Sequence, residues 1–556
     1  IDARSAGVTT IVSGSTIIGT GTAQSVGITG FGESSSSARF DITSNGAISN
    51  VNTGIYFENR MGLAGNVIRV NASIDAVSAG IDTGSSTATD IHVGSDATVQ
   101  GGVSGIARSS AGTTNNGGTV RGGVGITSTV ASSVVNSGLI QGSTFGVNFL
   151  AGGTLTNNAG ATINGGGSGG NGVNVAGAAG TIDNRGTIGV GNAAGIMLNA
   201  GGTATNYGTI NASGNNSTGL RSTGAASTLD NRGTITANIG IRTDASGSTL
   251  NNSGTINSTS FAIYVPSGTA TLTNSGSVNG AIGATLNGGG SITNTGSLIG
   301  VSYGITSAGA ATTVVNSGTI SGGSGAISLS AYNDVVTLNP GSVTIGSISL
   351  SSGDDTLNIM TGATFGALAG GAGTDTLVLG GTTTGTLDLA NVATFEILNK
   401  VGSGTWTLNG AAASPAMVIG AGNGTPSGTL VFNGSGLTGA ITVNGAILRA
   451  TSAGAFGTGR ITAIDPTIQY GATGTYTNQI ILASADPTND PTRLEADSGV
   501  VATLTGQLLE QGTGQPLVIG GSGTIVLTNQ NNFWSGGTRI LAGATLQGMG
   551  TALGNG

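Results

Sequence analysis

The chain has no cysteine, so no disulfide can brace it. For a chain of 556 residues in an oxidising location, this fits either a polypeptide that stays unbridged to thread a pore or one that never needed thiols. Charged residues are 7% of the sequence, against about a quarter in an ordinary globular domain, and aromatics are 4%. Between residues 243 and 399 there are seven acids and not one Lys or Arg. That segment cannot grip phosphate or sulfate polymers by ion pairing. The net charge of −8 and pI near 4.5 disfavour nucleic acid as a partner. No run of eighteen apolar residues supplies a membrane-spanning helix, and helical periodicity is missing throughout. The chain begins at Ile1 without Met or a charged-then-apolar leader, so a signal peptide is expected to have been removed or left out.

What is present is glycine, 107 residues of it, and a repeat. The motif Asn-x-Gly-[Thr/Ser]-aliphatic recurs about every twenty to twenty-seven residues, with Asn136, Asn184, Asn206, Asn231, Asn252, Asn274, Asn294 and Asn316 leading the strict copies. Looser copies begin at Asn45, Asn71, Asp96, Asn116, Asn157 and Asn339. A Gly-aliphatic pair follows nine or ten residues on, as in Gly54-Ile55, Gly240-Ile241 and Gly304-Ile305. The gap stretches after Asn157 and Asn206, where the loops 164–171 and 211–218 are rich in Gly, Ser and Asn. Fixed landmarks with variable turns are the mark of a solenoid whose loops lie on one face. Low charge with much Gly and Ser also suits a disordered linker, but the regular aliphatics and the mean hydropathy of +0.23 argue against that.

Between landmarks the pattern alternates, as in Thr249-Leu250-Asn251 and Thr255-Ile256-Asn257. Such runs read as short strands, about three to a coil with three turns. The fold class is therefore all-β, a parallel β-helix of roughly 25 coils, which at about 4.8 Å per coil gives a rod on the order of 110–120 Å. The repeated Asn is expected at a tight bend, because Asn tolerates the left-handed region, and its amides are expected to stack as a hydrogen-bonded ladder. The alternative is that these residues bind glycan or a partner.

Catalysis has few residues to use. Glycoside hydrolysis needs two carboxylates about 5–10 Å apart, yet adjacent acids occur only at Asp354-Asp355. A Ser-His-Asp triad would have to use His92, the sole histidine, which lies between Ile91 and Val93 in a strand pattern without a nucleophile motif nearby. Gly370 to Val378 fits the calcium nonapeptide, echoed upstream at Ser352 to Leu357, so Asp354, Asp355 and Asp375 are the residues a calcium ion would use. The two runs lie about twenty residues apart, however, which matches the coil of this helix and favours a Gly-rich bend. No cofactor is implied. Ala483 to Glu495, with two prolines and several acids, breaks the pattern and reads as a solvated loop that could serve as a partner epitope. Trp406 and Trp534 read as packing residues.

At its end the chain runs Gly521-Ser522-Gly523-Thr524-Ile525-Val526-Leu527, then Asn532-Phe533-Trp534-Ser535-Gly536-Gly537-Thr538, then Ala542-Gly543-Ala544-Thr545-Leu546, and closes with Ala552-Leu553-Gly554-Asn555-Gly556. This resembles the passenger-associated repeat of autotransporters, the type V secreted proteins of Gram-negative bacteria, and Gly404 to Gly410 with Val443 to Leu448 resembles a second copy. The likeness is specific over about 403–556; over 40–340 the Asn-x-Gly coils resemble those of pertactin-like passengers. It implies a right-handed β-helix held outside the outer membrane by a C-terminal β-barrel translocator. No barrel strands follow here, so the barrel is expected to have been cleaved or left out. The chain divides on this pattern into Asn-x-Gly coils (1–340), transitional coils (341–402) and a stem (403–556). The expected function is that of a non-enzymatic surface adhesin for a host-surface receptor, a glycan or an abiotic surface. The alternatives are self-association with the same passenger on a neighbouring cell and, further off, a β-helix polysaccharide-degrading enzyme.

Overall fold

A computed structural model describes residues 1–32, 38–166, 169–410, 416–419, 428–434, 438–483, 491–548 and 550–553. The chain is an all-β, right-handed parallel solenoid of about 22 coils. Twenty-five coils would need a shorter repeat than the chain has. The rung from Asn157 to Asn184 takes 27 residues and that from Asn206 to Asn231 takes 25, against 20 from Asn274 to Asn294. The chain forms two compact units, 1–309 and 310–556. That division follows packing, whereas the boundaries at 340 and 402 follow changes of motif.

In the middle coils of the first unit a coil is three strands, for example Gly180–Asn184, Thr187–Val190 and Ala194–Leu198, whereas in others the second and third run on as one long strand, such as Leu139–Phe149 and Ser297–Ser307. Each pairs in parallel, in register, with its counterpart one coil on: Asn184 with Asn206, Ile188 with Ile210, and Ile196 with Leu220. Because side chains alternate along a strand, in-register stacking sends like residues into like places. Three fully buried columns result. One runs through Leu229, Leu250, Leu272 and Ile292, a second through Ile188, Ile210, Ile235 and Ile256, and a third through Ile196, Leu220, Ile241 and Ile263. Each such side chain stabilises the stack by roughly 1.5–3 kcal/mol, and only if the neighbouring coil is present to cover it.

The glycine of Asn-x-Gly is set by this stacking. A Cβ on Gly254 would lie 2.1 Å from the Gly233 carbonyl oxygen, and Gly208, Gly233 and Gly276 meet the same obstruction one coil away. None of these glycines has a positive φ, and neither does any Asn that leads a strict repeat. The expectation of a left-handed Asn at the bend is thus corrected. Each ladder Asn closes an extended strand, and among the described non-glycine residues only Asn50, Ser351, Thr394 and Asp465 have positive φ.

In the second unit the interior gains aromatics. Trp406 is buried, with its indole N–H donating to the Gly380 carbonyl at 2.9 Å. Phe432, Phe456, Tyr470 and Tyr476 make a connected cluster with ring centroids 4.6 to 6.0 Å apart. The motif around Trp534 also acquires a physical reason. Asn532 is buried, accepts the Leu508 N–H at 2.8 Å and donates to the Ala552 carbonyl at 2.7 Å, so one amide ties the strand Leu508–Glu510 to the 3-10 turn Gly550–Leu553. Trp534 is buried beside it, its indole N–H on the Thr538 hydroxyl at 3.0 Å. Residues 554–556, which complete the resembled repeat, lie outside the described residues.

Replacing Gly254 by Ala forces two backbones apart and is expected to cost about 1–3 kcal/mol in urea unfolding. Replacing Gly7, where an added methyl meets nothing within 4 Å, is the control and leaves stability unchanged.

Candidate functional site

The strict-repeat asparagines of the first unit stand in one buried column. Each Nδ2 donates to the Oδ1 of the next: Asn136 to Asn157 at 2.8 Å, Asn157 to Asn184 and Asn184 to Asn206 at 2.7 Å, then Asn206 to Asn231, Asn231 to Asn252, Asn252 to Asn274 and Asn274 to Asn294 at 2.8 Å. Asn116 begins the series, donating to Asn136 at 2.7 Å, because its register partner one coil earlier is Val93. Most rungs also donate to the carbonyl of their own Gly, as Asn252 does to Gly254 at 3.3 Å. Asn316, in the second unit, is fully buried, and its Oδ1 accepts the Gly318 N–H at 3.1 Å. A primary amide suits this place because it carries donor and acceptor together, so a head-to-tail chain satisfies both without charge. No ladder amide in this column is open to a ligand.

The looser copies divide. Asn116 and Asn157 join the column. Asn45, Asn71 and Asn339 do not, since Ser44, Val70 and Leu338 hold the buried place one residue earlier. Asn71 instead donates to Asn45 at 2.7 Å on the surface, and Asn339 to the Ser317 hydroxyl at 2.8 Å. Asp96 is exposed in a turn.

The residues flanking the column face outward and form the surface with the most varied chemistry. One residue before the ladder come Asp183, Thr205, Asp230, Asn251, Thr273 and Thr293; one residue after it come Arg185, Tyr207, Arg232, Ser253, Ser275 and Thr295. The Arg185 and Arg232 guanidinium carbons lie 5.1 and 5.2 Å from the centre of the Tyr207 ring, one from each neighbouring coil. Asp183 binds Arg185 at 2.9 Å and Asp230 binds Arg232 at 2.8 Å, with both arginine side chains about half exposed at 55% and 51%. Their carboxylate partners are more enclosed, Asp183 at 28% and Asp230 at 10% exposure, so these pairs also hold the flank in place. Depressions of about 270 and 290 Å³ lie on the same flank. The first is lined by Asp230, Arg232, Asn251, Ser253 and Thr273, and the second by Arg69, Asn71, His92, Asn115 and Ser137. The repeat had hidden this surface. Its signal lay in the variable residue of Asn-x-Gly, which is Arg, Tyr and Arg in three consecutive coils. A second group, Arg221, Arg242, Asp244 and Tyr264, stands on another flank, where Asp244 binds Arg242 at 2.9 Å and Arg221 at 3.3 Å.

The candidate chemical groups are held apart. His92 is an exposed strand residue between buried Ile91 and Val93, with its Nδ1 3.4 Å from the Asn115 amide. Asp90 accepts the Thr113 N–H at 2.8 Å. Asp354 and Asp355 point to different places: Asp354 is exposed and accepts the Thr374 N–H at 2.8 Å, while Asp355 is buried and accepts the Asp334 N–H at 2.7 Å. Asp375 accepts the Asp355 N–H at 2.9 Å. The glycines of the calcium-like nonapeptide meet backbone instead, since a Cβ on Gly371 or Gly373 would lie 1.9 Å from a carbonyl oxygen one coil away. Among the described residues no three His, Asp or Glu converge as a metal site. Of the sequence-flagged loops, 211–218 is described in full, whereas residues 167–168 of the loop 164–171 and 484–490 of the stretch 483–495 lie outside the described residues.

No family model, curated protein or solved structure matches the chain.

Replacing Asn252 by Leu takes the acceptor from Asn231 and the donor from Asn274. This is expected to destabilise by about 1–3 kcal/mol in urea unfolding. Because solenoid stability is nearly nearest-neighbour, new proteolytic cuts should fall around coils 231–294, as mass spectrometry of the fragments would show.

Proposed function

We propose that this chain is the passenger of an autotransporter on a Gram-negative cell surface and acts as a non-enzymatic adhesin. Contact is made by the outward flank beside the buried Asn column. The observation that carries the reading is the half-exposed Arg185–Tyr207–Arg232 stack with Asp183 and Asp230, set on one polar flank of the first unit with two shallow depressions. Tyrosine and arginine are the residues that most often dominate recognition energy, and here they are held in place by their neighbours. The ring faces of Tyr207 are occupied by the guanidiniums. The stack therefore offers hydrogen-bonding edges and a phenol to a polar receptor or glycan, and has no bare aromatic platform. The passenger-associated repeat at 521–553 supports surface display, and a solenoid suits the role because it spaces one flank of contacts over many coils.

The test is display of the precursor with its barrel on a non-adherent bacterium, scored on host cells and immobilised glycans. Replacing Arg185, Tyr207 and Arg232 together by Ala should weaken adhesion by about ten- to thirtyfold, with surface expression and protease resistance unchanged. Undiminished adhesion, or release of new sugar ends by the unaltered protein, would overturn the reading.

Self-association is favoured by one further observation. Beyond Arg232 the same flank carries uncharged residues, among them Asn251, Ser253, Thr271, Thr273, Ser291 and Thr293, on regular parallel strands. Identical faces of this kind repel little, so contact between copies should depend weakly on salt. Lysines at Thr271, Thr273 and Thr293 should abolish cell aggregation while the fold persists. Aggregation that survives them excludes this face.

A further inference from the structure

The second unit contains a second polar column, made of acids that bond to backbone and not to one another. Asp334, Asp355, Asp375 and Glu396 each stand immediately before a strand: Val335–Leu338, Thr356–Met360, Thr376–Gly380 and Ile397–Lys400. Each carboxylate accepts a backbone N–H from the coil before. Asp334 takes that of Thr312 at 2.6 Å, Asp355 that of Asp334 at 2.7 Å, Asp375 that of Asp355 at 2.9 Å, and Glu396 that of Asp375 at 2.8 Å. The three aspartates are closed to solvent, at 0%, 1% and 0% exposure. In all three, Oδ1 takes the N–H, while Oδ2 is buried with no partner.

Three buried acceptors without a donor, in consecutive coils, are unusual. The Asn column avoids the problem because each amide brings its own hydrogens. A carboxylate brings none, so the second oxygens of Asp355 and Asp375 lack a donor, and that of Asp334 has only the Ser330 N–H beside it. No cation supplies one, since 243–399 contains neither Lys nor Arg. Lys400, at the far end of the last strand, donates to the Val401 and Gly402 carbonyls. The other titratable groups nearby are Asp354 and Glu396, which add negative charge, and exposed Tyr332. The neighbouring strands Thr312–Asn316, Gly325–Ser328, Ile348–Ser352 and Leu368–Ala372 carry no titratable side chain.

We propose that Asp334, Asp355 and Asp375 form a proton-binding column, with protons on the unpartnered oxygens in mildly acidic surroundings, and that coils 312–396 are firmer there than at neutral pH. Burial, reinforced by the neighbouring carboxylates and opposed by the accepted N–H bonds, pushes Asp334 and Asp355 up to about 6 and Asp375 upward. The native state thus binds these protons more tightly than the unfolded chain. The stability they give is complete below the ordinary carboxylate range near 4 and is lost as pH climbs to about 6.

The experiment uses the full chain. Infrared spectra would be taken from pH 4.5 to 8, and pulsed proteinase K digestion run at pH 5 and 7.5, with cuts mapped by mass spectrometry and rates normalised to an unstructured peptide. Cleavage within 312–396 should be at least about tenfold faster at pH 7.5, while cleavage in 116–294 changes little. A protonated-carboxyl band should persist at pH 5 and be lost in a triple variant, Asp334→Asn, Asp355→Asn and Asp375→Asn. That variant, with amides to supply the hydrogens, should resist cleavage equally at both pH values. Equal wild-type protection at both pH values, the absence of the band at pH 5, or a triple variant that keeps the wild-type pH dependence would each overturn the proposal. If the triple variant does not fold, the wild-type band and protection profile decide.

Discussion

A coil of this solenoid cannot satisfy its own backbone. Its N–H and C=O groups and its one apolar face are completed only by the coils before and after it, and the rest of the structure follows from that dependence. In-register pairing makes every residue stand over its counterpart, so a choice made at one position is repeated along the axis. Aliphatics then form continuous columns, and small residues are required where two backbones close to a distance that a Cβ would violate, as at Gly233 and Gly254. Polar residues must be of a kind that can bond to a copy of themselves.

Asparagine meets that last condition and aspartate does not. The column from Asn116 to Asn294 is neutral, with each amide between its ends serving as donor to one neighbour and acceptor from the other. The column from Asp334 to Asp375 stacks acids that cannot bond to one another when ionised, so each accepts a backbone N–H from the coil before. The first is indifferent to pH; the second is coupled to it by linkage. Neither column is open to a partner, because both are buried; the surface proposed for recognition is the residues one step before and after the Asn column, which vary from coil to coil.

The fold was legible because periodicity survives translation from sequence to structure: the strict Asn-x-Gly copies locate the buried ladder residue by residue. The departures also have physical reasons. Asn45, Asn71 and Asn339 match the motif but sit one place past the column, and in a strand one place reverses inside and outside. The glycine looked like a turn residue, whereas its constraint is contact with the next coil, which a single repeat does not display. The coil count fell from 25 to about 22 because long coils occur all along the chain, as from Val8 to Arg39, Asp41 to Val67, Asn157 to Asn184 and Thr467 to Arg493. The candidate site was harder to see. Attention to the invariant Asn and Gly passed over the variable residue between them, and Arg185, Tyr207 and Arg232 become one stack only when coils 22 to 25 residues apart are laid on each other. The acids at 354, 355 and 375 were visible as a motif, but separating exposed Asp354 from buried Asp355 and Asp375 needed the register.

The central claim is that the flank beside the buried ladder is the surface that touches the receptor. A photo-activatable residue placed at Ser253 or Ser275, both exposed on that flank, would test it most directly against one placed at Asn257, exposed on the following strand. With the displayed protein bound to its target and irradiated, the account predicts cross-linked product from positions 253 and 275 and none from 257. Cross-linking confined to 257, or equal from all three, would contradict it.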